Sequence, residues 1–196
     1  MKTILENVRN NVPLVHFITN YVTVNDVANM MLACGGSPIM SDEVLDVEDI
    51  TTICNALVIN IGTLNKNSIE AMIAAGKKAN ELGHPVILDP VGAGASKLRT
   101  ETTFKLLEEV KFDVIRGNIS EIKTVYSGSG STKGVDADVA DAVTDANLAE
   151  TAAFAKELSK TTGAVIAITG AIDIIADANE LSLIHISEPT RLALIS

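Results

Sequence analysis

The chain has 196 residues, 47% of them apolar and only 3% aromatic, which suits one sizeable domain with a core of Ile, Val, Leu and Ala. A net charge of −10 disfavours nucleic acid as a partner, because backbone-phosphate contacts need clustered Lys and Arg. It leaves open a phosphorylated small molecule, which needs only local positive groups or helix N-termini.

Glu6 and Arg9 interrupt the first apolar run, so no signal peptide is expected. Val22, Val27, Ala28, Met31 and Leu32 keep helical spacing, and Gly35-Gly36 supply a stop. Cys34 and Cys54 lack CxxC spacing, which excludes a disulfide framework or a zinc site and reads as free thiols in a cytoplasmic protein. The acidic run Asp42–Asp49 reads as a solvated face, and His16 and His84 as isolated. Ala56–Ile61 predicts a buried strand bounded by Gly62. Lys66–Leu82 predicts a helix with Ile69, Met72, Ile73 and Ala79 on one face, closed by Gly83 and Pro85. Val86–Leu88 is the next strand, and Thr100 reads as the N-cap of a helix through Val110 with Phe104, Leu107 and Val110 inward. A short strand at Asp113–Ile115, an Ala-rich helix at Asn147–Lys160, a strand at Ala164–Thr169 and a hairpin partner at Asp173–Ala176 complete the pattern. Thr161–Ile172, the longest uncharged apolar stretch, is too short to span a bilayer. Strands alternating with helices predict an α/β fold, a mostly parallel central sheet flanked by helices, with right-handed crossovers.

The stretch with most chemistry is Val86–Gly94, Val-Ile-Leu-Asp-Pro-Val-Gly-Ala-Gly. Ligands of open α/β sheets bind beyond the carboxyl ends of the strands, where this stretch places the Asp89 carboxylate and a glycine loop. Asp89 either caps a turn or acts on Mg²⁺, a hard cation suited to carboxylates beside phosphate. Arg116, just after the Asp113–Ile115 strand, could clamp phosphate with its planar fork. Asn118 and Glu121, three apart at a helix start, form either an N-cap with a dipole-pairing acid or a site with Glu121 as second magnesium carboxylate. Thr169-Gly170 offers a hydroxyl and a free backbone amide to phosphate, or is an ordinary turn. Ser127–Gly134 lacks the order of a P-loop, and Asp136, Asp138 and Asp141 lack the Gly and Glu of a calcium loop.

Leu181–Arg191 (Leu-Ser-Leu-Ile-His-Ile-Ser-Glu-Pro-Thr-Arg) reads as the in-frame translation of a common sequencing-library transposon adapter. On that reading residues 1–180 are an incomplete domain and 181–196 a non-native tail, set aside from the fold. The other reading is a natural strand–turn segment.

A set of ordered stretches resembles the hydroxyethylthiazole kinases, ribokinase-like enzymes of thiamine salvage. They are Pro13–His16, Ile18–Asn20, Gly36–Met40, Leu57–Thr63, Pro85–Gly94, Ile115–Asn118 with Glu121-Ile122, Lys133–Ala137 and Ala167–Gly170. The resemblance implies a ribokinase-like fold and phosphoryl transfer from ATP, with Mg²⁺, to the hydroxyl of 4-methyl-5-(2-hydroxyethyl)thiazole. It implies that Met40, Asn20, Asn60, Gly62 and Thr63 bind the thiazole alcohol. Arg116, Thr169 and Asn118 would contact ATP, and Asp89 and Glu121 would lie near magnesium. It also implies a homotrimer with the thiazole pocket at a subunit interface. The family's Gly-Thr-Gly-Cys loop, whose amides form the anion hole for the transferred phosphate, does not occur in the chain, so no catalytic residue is assigned. The alternatives are a hydroxymethylpyrimidine kinase, an ATP-dependent hydrate dehydratase, or a non-catalytic nucleotide-binding module.

Overall fold

A computed structural model describes residues 2–128, 143–144 and 146–185. The 133–137 stretch, Asp136, Asp138 and Asp141, most of the Ser-Gly-rich run and residues 186–196 lie outside the described residues.

The elements run α1 (Lys2–Asn11), β1 (Leu14–Ile18), α2 (Val24–Cys34), β2 (Ser37–Met40), α3 (Val47–Ile53), β3 (Ala56–Asn60), α4 (Lys66–Leu82) and β4 (Val86–Asp89). They continue with α5 (Lys97–Glu109), β5 (Val114–Gly117), α6 (Ile119–Gly128), α7 (Leu148–Thr162), β6 (Val165–Ile168), β7 (Ile172–Ala176) and β8 (Leu181–His185). All eight strands form one sheet in the order β2-β1-β3-β4-β5-β6-β7-β8. The first six are parallel, and β7 and β8 are antiparallel additions, as the hairpin reading of Asp173–Ala176 expects. The strand order reverses at β1, which runs between β2 and β3. In doubly wound sheets such a switch point opens a crevice at the carboxyl ends.

The buried strands are aliphatic because both faces of a parallel sheet are covered. Leu57, Ile59, Leu88, Ile115, Ile166 and Ile168 are all fully buried. α4 packs Met72, Ile73 and Ala79 into this core, and its ends carry the signals that set its length. Asn65 accepts from the Ser68 amide in a reciprocal capping box, and Gly83 closes the helix at φ 70°.

Several expectations are corrected. α5 begins at Lys97, capped by Ser96, whose Oγ accepts from the Arg99 amide at 3.3 Å. Thr100 lies inside the helix, and Leu106 with Thr102 and Thr103 is buried where Phe104 and Leu107 are only half-buried. β5 runs two residues further than read, because Arg116 and Gly117 pair with Ala167 and Ile168 of β6. α2 is a helix as predicted, but none of its residues is fully buried and Leu32 is 57% exposed. Apart from these corrections, Leu181–His185 of the segment set aside as a tail pairs as β8 with Ile172–Ala176, which describes its place in the sheet and not its origin. Of the acidic run, Asp46 precedes a helix whose Val47 is fully buried, so only part of it is a solvated face.

Candidate active site

The carboxyl edge of the sheet carries a ladder of side-chain hydrogen bonds across four strands. Asn20, just after β1, donates through Nδ2 to Asn60 Oδ1 at 3.2 Å. Asn60, the last residue of β3, donates through Nδ2 to Asp89 Oδ2 at 2.9 Å. Arg116 of β5 donates through Nη1 to the same Oδ2 at 3.1 Å. The strand register makes this possible, since Asn60 and Asp89 are direct partners in the β3–β4 pairing. The ladder thus joins residues expected on the substrate side to residues expected on the nucleotide side.

Burial of Asp89 raises its carboxyl pKa above the usual carboxylate range, and the Glu121 charge adds to this. The Arg116 guanidinium and the Asn60 amide work against the shift without reversing it. The side chain of Arg116 is 53% exposed against 16% for Asp89, so water screens the guanidinium while the carboxylate stays largely desolvated.

Glu121 is the partner that sequence spacing suggested, with a structural task on each oxygen. Its Oε2 accepts from the Asn118 amide at 2.8 Å, while Asn118 Oδ1 accepts from the Glu121 amide at 2.9 Å. This is the reciprocal capping box at the start of α6, so Asn118 is an N-cap. Glu121 Oε1 accepts from the Gly92 amide at 2.8 Å and ties the glycine loop to α6. Gly92 and Gly94 take φ of 71° and 88°, a region that favours glycine.

Thr169 follows β6, with its amide and hydroxyl both directed at the Gly117 carbonyl, at 2.9 and 3.3 Å. The Gly170 amide, read as free, donates to Asp173 Oδ1 at 2.9 Å. Gly62 and Thr63 lie in the loop after β3, where Gly62 donates to Asn60 Oδ1 at 2.9 Å and Thr63 Oγ1 accepts from the Tyr21 amide at 2.9 Å. Met40 ends β2 and lines a small cavity of about 70 Å³ with Phe17, Ile18, Tyr21 and Val24. A larger cavity of about 770 Å³, lined by Phe104, Lys111 and Phe112, opens at the amino ends of β5 and β6 and touches none of the candidate residues.

Two further residues were given no site role from sequence. His16 is fully buried in β1. Its Nε2 lies 2.9 Å from the Ser41 carbonyl, which can only accept, so Nε2 carries the proton and Nδ1 accepts from Thr51 Oγ1 at 3.0 Å. Burial holds its pKa below the usual imidazole value, against the Ser41 carbonyl and the Asp46 charge. A depressed histidine pKa contributes stability that is present above the unfolded value, about 6.5, and lost as pH falls through the folded one. His16→Gln is expected to cost about 1–3 kcal/mol at pH 7.5 and to flatten the loss of stability below about pH 6.5, read by thermal melts. An unchanged acid slope would contradict this. The second residue, Arg99, donates through Nη2 to the Gly62 carbonyl at 2.8 Å. Its position three residues past the Ser96 cap was the available signal.

The sequence matches the Hydroxyethylthiazole kinase family over residues 5–193. The chain belongs to the hydroxyethylthiazole kinase family. A hydroxyethylthiazole kinase of Clostridium acetobutylicum is 65% identical over 189 residues, 96% of this chain and 69% of that protein. The hydroxyethylthiazole kinase structure from Pyrococcus horikoshii superposes with a TM-score of 0.83 at 34% identity, covering 99% of this chain and 70% of that one. A Ribokinase II-type protein of E. coli, solved with ATP and Mg²⁺, gives a TM-score of 0.54 at 14% identity, which shows a shared fold. Other hydroxyethylthiazole kinases are matched at 50–57% identity, with 61–66% of their length covered. The chain thus spans about two thirds of its relatives' length. Membership of the family favours the thiazole enzyme over the pyrimidine kinase and hydrate dehydratase readings. Among the described residues no helix is long and apolar enough to cross a membrane.

Proposed function

We propose that this protein acts in phosphoryl transfer from ATP to the hydroxyl of 4-methyl-5-(2-hydroxyethyl)thiazole. The observation that carries the reading is the Asn20–Asn60–Asp89–Arg116 ladder, which lies along the crevice where an α/β sheet of this order binds ligands. On this reading Met40, Asn20, Asn60, Gly62 and Thr63 receive the thiazole alcohol at the β1/β3 switch point. Arg116 and Thr169, with Asn118 beside them, receive the nucleotide. Arg116 offers the unused donors of its guanidinium to phosphate while one holds Asp89.

The donor set fits magnesium. Mg²⁺ is held by one or two carboxylates with substrate phosphates and waters, and no group of three or more acidic, His or Cys ligands occurs among the described residues. Asp89 and Glu121 would hold it, and a cation there would favour the ionised form of Asp89 against the burial that raises its pKa. When bound, the ion would neutralise charge developing on the phosphoryl oxygens.

Two further parts of the proposal concern assembly and chain extent. Large apolar side chains are exposed near Met40 in the chain, Val22 just before α2 at 87%, Met30 within α2 at 65% and Leu45 in the turn after β2 at 91%, which supports a homotrimer with Met40 near a neighbour's site. We also propose an adapter origin for Leu181–Arg191, although β8 and the family match both run into it; reading the source DNA across codon 180 tests this. No Gly-Thr-Gly-Cys loop is present. Phosphoryl transfer rests on positioning and electrostatic stabilisation, so this chain is expected to bind both ligands and turn over poorly. A coupled ATP-consumption assay with the thiazole alcohol checks it. Robust turnover by the 196-residue chain would overturn the account of the absent loop.

A further inference from the structure

The two ligand-facing loops are bridged by one side chain with no part in the ladder. Arg99 sits in the first turn of α5, its amide held by Ser96 Oγ at 3.3 Å. Its Nη2 donates to the Gly62 carbonyl at 2.8 Å, in the loop after β3. Its Nη1 lies over Gly92 in the loop after β4, so closely that a Cβ on Gly92 would approach it to 2.3 Å. The two loops are themselves anchored to opposite ends of the site. Gly62 donates to Asn60 Oδ1 at 2.9 Å on the substrate side, and Gly92 donates to Glu121 Oε1 at 2.8 Å on the magnesium side. No carboxylate pairs with Arg99 among the ion pairs of the described residues. The guanidinium is a rigid planar fork, so one end cannot move without the other.

We propose that Arg99 is a positioning residue that couples occupancy of the thiazole crevice to binding of Mg-ATP. The inference rests on the functional reading above. A shift of the Gly62 carbonyl as the alcohol enters moves the guanidinium against Gly92, and Gly92 carries that shift to Glu121 and the start of α6. The glycine at position 92 is what permits the contact, since any side chain there would displace Nη1. Coupling of this kind is reciprocal, so each ligand strengthens the other by the same factor.

The test is calorimetry of the full chain with the thiazole alcohol, alone and with saturating Mg²⁺ and a non-hydrolysable ATP analogue. The unmodified chain is expected to bind the alcohol at least about five-fold more tightly when the nucleotide is present. In Arg99→Ala each ligand still binds alone, but that factor falls to within about two-fold of unity; Arg99→Lys, which keeps the charge on a single ammonium nitrogen without the fork, falls between. Coupling in Arg99→Ala equal to the unmodified chain overturns the inference, as does an unmodified chain that binds both ligands independently. Binding of neither ligand to the unmodified chain overturns the functional reading, and the coupling with it. Should Arg99→Ala fail to melt cooperatively, Arg99→Lys decides, and unchanged coupling there overturns the proposal.

Discussion

Asp89→Asn is expected to remove the magnesium dependence of ATP binding while making the chain more stable at pH 8. The two effects have one origin. The folded state holds the Asp89 pKa above its usual value, chiefly through burial and then through Glu121 repulsion, despite Arg116 and Asn60. A carboxyl raised in this way contributes stability that is fully present below the unfolded pKa, about 3.9, and lost as pH rises through the folded value. At pH 8 the ionised side chain is therefore a net cost. Asparagine removes the charge and keeps an oxygen acceptor for Asn60 and Arg116. In EDTA, Asp89→Asn should melt a few degrees higher than the unmodified chain at pH 8, about 2–4 °C for each kcal/mol gained, with the gap closing towards pH 4. With ligand, the unmodified chain should bind ATP at least about ten-fold more tightly in magnesium than in EDTA, and the variant should show almost no difference. Equal magnesium dependence in both would remove Asp89 from the metal site. A lower melting temperature for the variant at pH 8 would mean that the Arg116 pair outweighs burial.

Arg116→Ala is expected to weaken ATP binding by about ten-fold or more, at or above about 1.4 kcal/mol, since a hydrogen bond to a charged group contributes about 1.5–3 kcal/mol. The side chain is half-exposed, so its direct loss should cost little stability. What it leaves behind matters more, because Asp89 loses the largest influence that lowers its pKa. Arg116→Ala should therefore destabilise the chain at pH 8 and have little effect near pH 4. The pair is in contact, so the two substitutions should not add. In the Asp89→Asn background, Arg116→Ala should leave stability nearly unchanged while still weakening ATP binding. Calorimetry and melts of the four chains read both outcomes, and an unchanged ATP affinity would exclude Arg116 from the nucleotide site.

Much of this edge was legible in the sequence because each piece announces itself locally. The aliphatic run before Asp89, with a proline and two glycines after it, could only be a strand feeding a loop. The α4 boundaries followed from its periodicity and Gly83. What joins the pieces was not legible. The Asn60–Asp89 hydrogen bond depends on the β3–β4 register, which pairs residues 29 apart in sequence and leaves no local mark. Arg116 was placed after its strand because the extension of β5 comes from its pairing with β6, not from its own residues. The Gly170 amide looked free because its acceptor, Asp173, reads as the start of the next strand. Ser96 and Thr100 both suit an N-cap; the structure gives Ser96 the cap and has Thr100 Oγ1 donate to the Ser96 carbonyl and accept from the Gly94 amide. α2 shows the limit of periodicity, which predicts a helix with an apolar face but not what that face meets.

The measurement that tests the central claim most directly is titration of the 196-residue chain with 4-methyl-5-(2-hydroxyethyl)thiazole in Mg²⁺ and a non-hydrolysable ATP analogue, followed by competition with hydroxymethylpyrimidine. The account predicts saturable binding of the thiazole alcohol that the pyrimidine does not displace. Absence of binding, or displacement by the pyrimidine at comparable concentration, would contradict it.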